Sequence, residues 1–353
     1  MDFTDPVLPE TFTESSYMST SLISAPTPWT KQTAPADREM YFSDFSIPTI
    51  PSSNVRSLIP RPKLRTGAAL RTANLILSTL KSYPFMMMRH NSLPPFIHPQ
   101  MLFSQGESLQ VEPLTNCISL VNMISSGIQG SRKLFWKNVR LECERLFGDH
   151  WKLDRWELLG AMQALSIYML IRLSEGETEH NNVDHILLAT VTVIGQFFGQ
   201  YLITCDLETA LCNSSVQSNW REWVFEESRR RLSVVYRVVN MLVYYYPAAL
   251  CELQTDLLIA PLPARKQLWE ASNESTWKAE RKGNPAEAIT YALASSGELV
   301  KLDEGQLHCS NGVLTYISLD ETLETRTSTN WEEWCSGMDG FGGLIMLAAS
   351  LIH

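Results

Sequence analysis

The residues best spaced for charge chemistry are consecutive: Glu226-Glu227-Ser228-Arg229-Arg230-Arg231. On a helix, Glu226 faces Arg230 and Glu227 faces Arg231, because residues four apart share a surface and Glu on the N-terminal side is the favourable order. Such pairs have two possible uses. On a solvated face each contributes only roughly a few tenths of a kcal/mol. Buried, they become a lock, because a lone charge there would cost several kcal/mol and the partners must stay together. Trp220 and Trp223 precede Glu227 by two turns and one turn on the same stripe, which favours burial. The expectation is therefore that Glu227 and at least one of Arg230 and Arg231 are buried and paired.

Other chemistry is hard to assemble from this chain. The seven cysteines (117, 143, 205, 212, 251, 309 and 335) include no C-x-x-C, the spacing that brings thiolates to one metal ion. His180 and His185 approach a zinc-finger spacing without a cysteine pair before them, and read as part of a polar loop. His308 and Cys309 are adjacent, so on a strand they point to opposite faces. No H-E-x-x-H, G-x-S-x-G, P-loop or D-D-x-x-D sequence occurs. The glycine-rich stretch from Gly337 to Gly343 lacks a phosphate-binding Lys and reads as a flexible connection. No catalytic, cofactor-binding or metal-ligating residue is assigned, and the chain is not read as an enzyme.

The elements that must position the charged run are helical. Asn219 is a good N-cap, with Glu222 three residues on to reach back to it, and Pro247 supplies a stop. A helix from Asn219 to Tyr246, about 40 Å long and apolar nearly all round beyond Leu232, is expected at the centre of a larger body. Earlier helices are expected near Leu114–Ser126, Arg132–Phe147, Arg155–Leu173 and Asp184–Ile203, with Ser131 as N-cap of the second and Asp154 with Glu157 capping the third. A first helix carries Leu70, Ala73, Leu77 and Leu80 on one face and is broken at or near Pro84. The Asp184–Ile203 run is apolar enough to suggest a membrane span, but Thr190, Thr192, Gln196 and Gln200 interrupt it and make it a core helix. Strands, if any, belong after residue 290, at Glu298–Leu302, Gln306–Cys309 and Val313–Ile317. The segment from Gly342 to His353 reads as a packed terminal helix. The fold class is all-α from residue 64 to 353.

Several of these stretches occur in a telling order. Ser82-Tyr83-Pro84, a Met run, Pro94-Pro95-Phe96-Ile97-His98-Pro99, and Ser131-Arg132 with Leu134-Phe135-Trp136 lead into the helix Glu157–Leu173. Then come Trp220-x-x-Trp223, Glu227-Ser228-Arg229-Arg230-Arg231, Pro261-Leu262-Pro263, Leu268-Trp269 and Trp277. Over residues 64 to 280 this order resembles fungal transcription factors of the binuclear zinc-cluster type, in their helical regulatory region. The resemblance implies that Trp220, Trp223, Glu227, Arg230, Arg231, Pro261, Pro263 and Trp269 form a structural signature. It further implies a nuclear regulator of a pathway-specific, secondary-metabolite type of gene set. The six clustered cysteines of that family's DNA-binding head are missing from these residues, which puts autonomous DNA binding in doubt. Partners would be other transcription factors or a second copy of the chain, with DNA reached indirectly and no membrane involved. The alternative is a helical small-molecule-binding protein or biosynthetic enzyme, its pocket lined by Trp and Tyr.

Composition agrees with a globular helical chain: of 353 residues 44% are hydrophobic and 19% charged. The net charge of −9 argues against a nonspecific nucleic-acid binder, which needs a basic surface. No basic n-region followed by an apolar core opens the chain, so a reducing compartment with free thiols is expected. Residues 1–63 are rich in Pro, Ser and Thr without helical or strand period, and read as a disordered tail. Within it Asp37, Glu39, Tyr41, Phe42, Asp44 and Phe45 mix acids with aromatics, which reads as an ordinary tail segment or, alternatively, as a disordered activation segment that recruits a partner. Arg56, Arg61, Lys63, Arg65 and Arg71 read as solubilising and capping charges, with a nuclear-import signal as the alternative that five charges over sixteen residues support only weakly.

Overall fold

Between Glu157 and Arg172 the chain carries fourteen residues without a charge, and that run becomes the helix around which the others assemble. A computed structural model describes residues 58–60, 67–90, 92–102, 111–203, 219–244, 257–283, 290–302, 305–310, 313–318 and 323–352. All of them belong to one unit, Pro51–His353. Of the tail expected over residues 1–63, residues 1–57 and 61–63 lie outside the described residues, with the acidic-aromatic segment and the basic residues from Arg56 to Arg65, while Ile59–Pro60 are described and form a short strand.

The described part is mostly helical. In order come α1 (Gly67–His90), α2 (Glu112–Ser125), α3 (Ser131–Asp149), α4 (Arg155–Glu175), α5 (Asp184–Ile203), α6 (Trp220–Leu242), the short α7 (Lys266–Trp269), α8 (Glu274–Gly283), α9 (Leu323–Ser336) and α10 (Phe341–Ile352). Every side chain of α4 from Leu158 to Arg172 is buried, and α1, α2, α5 and α6 pack around it. Asp154 opens α4 with the expected capping box, its side chain accepting from the Trp156 and Glu157 N–H groups while Glu157 reaches back. At Gly160 a methyl group would overlap Val111 Cγ1, so the missing side chain is what lets the start of α2 lie against α4.

The helix expected at the centre, α6, is one of the layers around α4. It is less uniformly apolar than the sequence suggests: Glu226, Arg230, Ser233, Arg237 and Asn240 are only partly buried and follow one another at helical spacing. It also stops earlier. Val243 is extended, with φ −128° and ψ 154°, and Val243–Tyr244 form β2, antiparallel to β1 (Ile59–Pro60). Aromatic and β-branched residues favour a strand there, so Pro247 does not set the helix end.

Strands are not confined to the region after residue 290. Besides β1 and β2, β3 (Leu257–Ile259) pairs with β4 (Tyr291–Ala294), which pairs with β5 (Leu299–Lys301), all antiparallel. Leu257, Ile259, Leu293 and Leu299 bury one side of this small sheet. The expected later strands form a hairpin, β6 (Gly305–Ser310) with β7 (Val313–Ser318).

Two local expectations are corrected. Pro84 lies inside α1 rather than ending it. Its neighbours Leu80, Tyr83 and Met87 are buried, and that packing offsets a penalty of about 3 kcal/mol for an interior proline. The cap of α3 is Gly130, at φ 82°, not Ser131, which is already helical and buried. The terminal segment is packed as expected: Phe341, Leu344, Ile345 and Ala348 of α10 are buried and the helix lies on α1 and α6. Among the described residues no helix is long and apolar enough to cross a membrane.

Candidate functional site

Arg231 is the hub of the charged run. Its side chain is fully buried, as is that of Glu227. Arg231 Nε donates to Glu227 Oε1 at 2.9 Å. Its Nη1 donates to Asp339 Oδ2 at 2.6 Å and to the Pro95 carbonyl at 3.2 Å. Nη2 donates to the Ala264 carbonyl at 3.2 Å. The guanidinium also lies over the Trp269 ring, 4.2 Å from its centroid, with Phe341 at 5.6 Å. One side chain thereby joins α6 to the Pro94–Pro95 loop, to the Pro263–Ala264 loop, to α7 and to the connection between α9 and α10.

Glu227 completes the arrangement. Its Oε1 also accepts the Ala264 N–H at 2.8 Å, and its Oε2 accepts from Arg230 Nη1 at 2.8 Å. Asp339 accepts the Phe341 N–H at its other oxygen, 3.0 Å away. Two carboxylates thus face two guanidiniums, and each carboxylate has further hydrogen bonds, the condition under which buried ions can be held at all. Of the two readings of the charged run, the lock is the observed one. The pairing differs in detail: Glu226 pairs with Arg229, and Arg230 goes to Glu227 three residues before it.

Glu222 does not return to its cap. Asn219 accepts the Arg221 N–H alone, while both Glu222 oxygens take Arg155 at 2.6 and 2.7 Å. That pair ties the start of α6 to the start of α4, on the surface.

The expected signature residues divide into two neighbouring groups. Glu227, Arg230, Arg231 and Trp269 meet at the hub. Trp220 joins a separate apolar cluster with Val224, Leu268, Ala271 and Trp277, and Trp223 packs against it. Pro263 is buried and Pro261 half-buried; they shape the loop whose Ala264 N–H and carbonyl meet Glu227 and Arg231. His98 links the groups, with its ring 4.8 Å from Trp269 and 6.2 Å from Trp220.

The protonation of His98 follows from its bonds. Nδ1 accepts the Gln100 N–H at 3.1 Å, so Nε2 carries the proton and donates to the Trp269 carbonyl at 3.0 Å. Burial pulls the imidazole down to about 4, against the help of the Trp269 bond and with the Arg231 charge adding to the fall. Tyr83, whose ring packs on Phe96 and Phe341, has its phenol pushed well above its usual range by burial, with Asp339 adding to the rise. From α4, Gln163 Nε2 donates to the Phe96 carbonyl at 2.8 Å and fixes the same loop.

Sequence reasoning missed Asp339 and His98. Asp339 sits in the glycine-rich stretch read as a flexible connection, and a lone acid between glycines was the available signal. His98 stood inside a quoted motif without a role. The charged groups of the hub are spent on one another, so it holds segments in register, while Ser228 Oγ, Trp220 Nε1 and Trp277 Nε1 beside it are buried without a hydrogen-bond partner among the described residues. Among the described residues no group of three or more His, Cys, Asp or Glu is placed to hold a metal ion. Burial raises the Cys117 thiol far above its usual range and that of Cys143 to about 12; such thiols are inert. Comparison with family models, curated proteins and solved structures finds no match to this chain.

Proposed function

We propose that the chain is a nuclear regulator of transcription, acting on a pathway-specific gene set of secondary-metabolite type. It works through contacts of its helical body with another transcription factor or with a second copy of itself, and it is not an enzyme. The observation that supports this reading most is the convergence at Arg231. Stretches from Pro94-Pro95 to Asp339, far apart in sequence, meet there, and most carry the ordered motifs on which the family resemblance rests. A shared cluster gives those motifs a common physical cause, where chance matches would have none.

These 353 residues hold no six-cysteine cluster, so promoter occupancy in this reading depends on a DNA-bound partner. Two contacts on one assembly raise the effective concentration at the promoter without any base being read. The acidic-aromatic segment around Tyr41 and Phe45 supplies a second recruiting element. The test is deletion of the gene with RNA measured genome-wide, beside a tagged copy followed by microscopy. Altered transcripts of a clustered gene set and a nuclear signal are expected. Unchanged transcripts, or exclusion from the nucleus, would put the small-molecule or biosynthetic reading ahead.

A further inference from the structure

A cleft of about 490 Å³ opens where α1, the ends of α2 and α4, and the start of α3 come together. Its size falls in the range of roughly 300–1,000 Å³ typical of small-molecule sites. Pro84, Phe85 and Met88 of α1, Trp136 of α3 and Ile171 of α4 form apolar walls. Phe85 is left partly open to solvent, and an exposed aromatic in a concave place offers a flat surface for another ring.

The charges at this cleft are few and unequal. Glu175 is already engaged: one oxygen pairs with Arg132 and the other accepts Trp136 Nε1 at 2.8 Å. Arg132 remains 60% exposed, so its guanidinium has further donors to offer. Lys81 lines the same cleft, and among the described residues no carboxylate pairs with it. Two cations against one carboxylate leave a single positive charge in excess. That balance suits a monoanion better than a phosphate dianion.

The rim is built in advance. Asn181, fully buried, accepts the Thr178 N–H at 2.8 Å and donates to the Gly176 carbonyl at 2.7 Å. The turn that brings Thr178 and His180 to the cleft is therefore fixed before anything binds, which lowers the entropy cost of binding.

We propose that this cleft binds an apolar-bodied monocarboxylate. The ring or chain lies on Phe85, Trp136 and Ile171, and the carboxylate is taken by Lys81 and Arg132. The proposal stands apart from the regulatory reading, because binding is measured on the purified chain and needs neither nucleus nor promoter.

Calorimetric titration of the full chain with 1-naphthylacetate, and with its neutral amide 1-naphthylacetamide, tests it. The acid is expected to bind one per chain and at least tenfold more tightly than the amide. Lys81→Met should bring the acid down to the level of the amide and leave the amide unchanged. Ser174→Trp, which fills the cleft from its rim, should abolish both, and thermal melts check that each variant is folded. Equal affinity for acid and amide overturns the proposal, as does binding that survives Ser174→Trp or the absence of binding to either probe.

Discussion

Glu227 shares its two oxygens among Arg230, Arg231 and the Ala264 N–H, so its removal leaves the buried Arg231 guanidinium with one of its two counter-charges, Asp339. Glu227→Ala is expected to cost about 3 kcal/mol or more, read from urea melts; a melt that does not move would return these charges to a solvated face. Asp339→Ala and the double variant form a cycle whose costs should fail to add, because both carboxylates serve one arginine. At His98 the sign of the pH effect follows from a folded value of about 4 against about 6.5 in the unfolded chain. The unfolded chain takes the proton first as pH falls, so this contribution is complete above pH ~6.5 and is lost between there and pH ~4. The loss is roughly 3 kcal/mol, and His98→Gln should flatten that part of the stability–pH curve. The Glu-Arg spacing made half of this cluster legible in the sequence. Asp339 was not legible, because a contact spanning 108 residues leaves no local pattern, and glycines beside it point to mobility by composition alone.

Among the elements, helices with their own caps and period were the most readable. The start of α4 at Asp154 and both ends of α5 fell where their residues placed them. Errors came where tertiary partners decide: Pro84 is carried inside α1 by the packing around it, and α6 yields to a strand because β1 pairs with Val243 and Tyr244. The small sheet was half hidden, since β3 finds its partner only 30-odd residues later at β4, as the Leu257 to Ala294 register shows. The crossing of α2 over α4 supplies the test at this scale. Gly160→Ala forces a methyl into Val111 and should cost about 1–3 kcal/mol, the range of overpacking, without changing helix content by circular dichroism. A variant as stable as the parent would mean that the two helices can slide apart freely.

For the whole molecule, the thiols and the charge give one further expectation. Elemental analysis of the purified chain should find no stoichiometric zinc, and duplex DNA should show no sequence-specific binding; two zinc ions per chain would show the cysteines misread. The fold class was legible from hydrophobic period alone, whereas the hub that closes the fold was visible on one helix only. Closure also has a timetable. Arg231 emerges during synthesis well before its carboxylate at Asp339, 108 residues later, an interval of about 5–20 s at ordinary translation rates of about 5–20 residues per second. Throughout it the nascent chain has an arginine with one of its two counter-ions and an α1 surface not yet covered by α10. The newborn protein is therefore expected to depend on chaperones until α9 and α10 appear, and slowing the ribosome between Arg231 and Asp339 should lengthen that dependence.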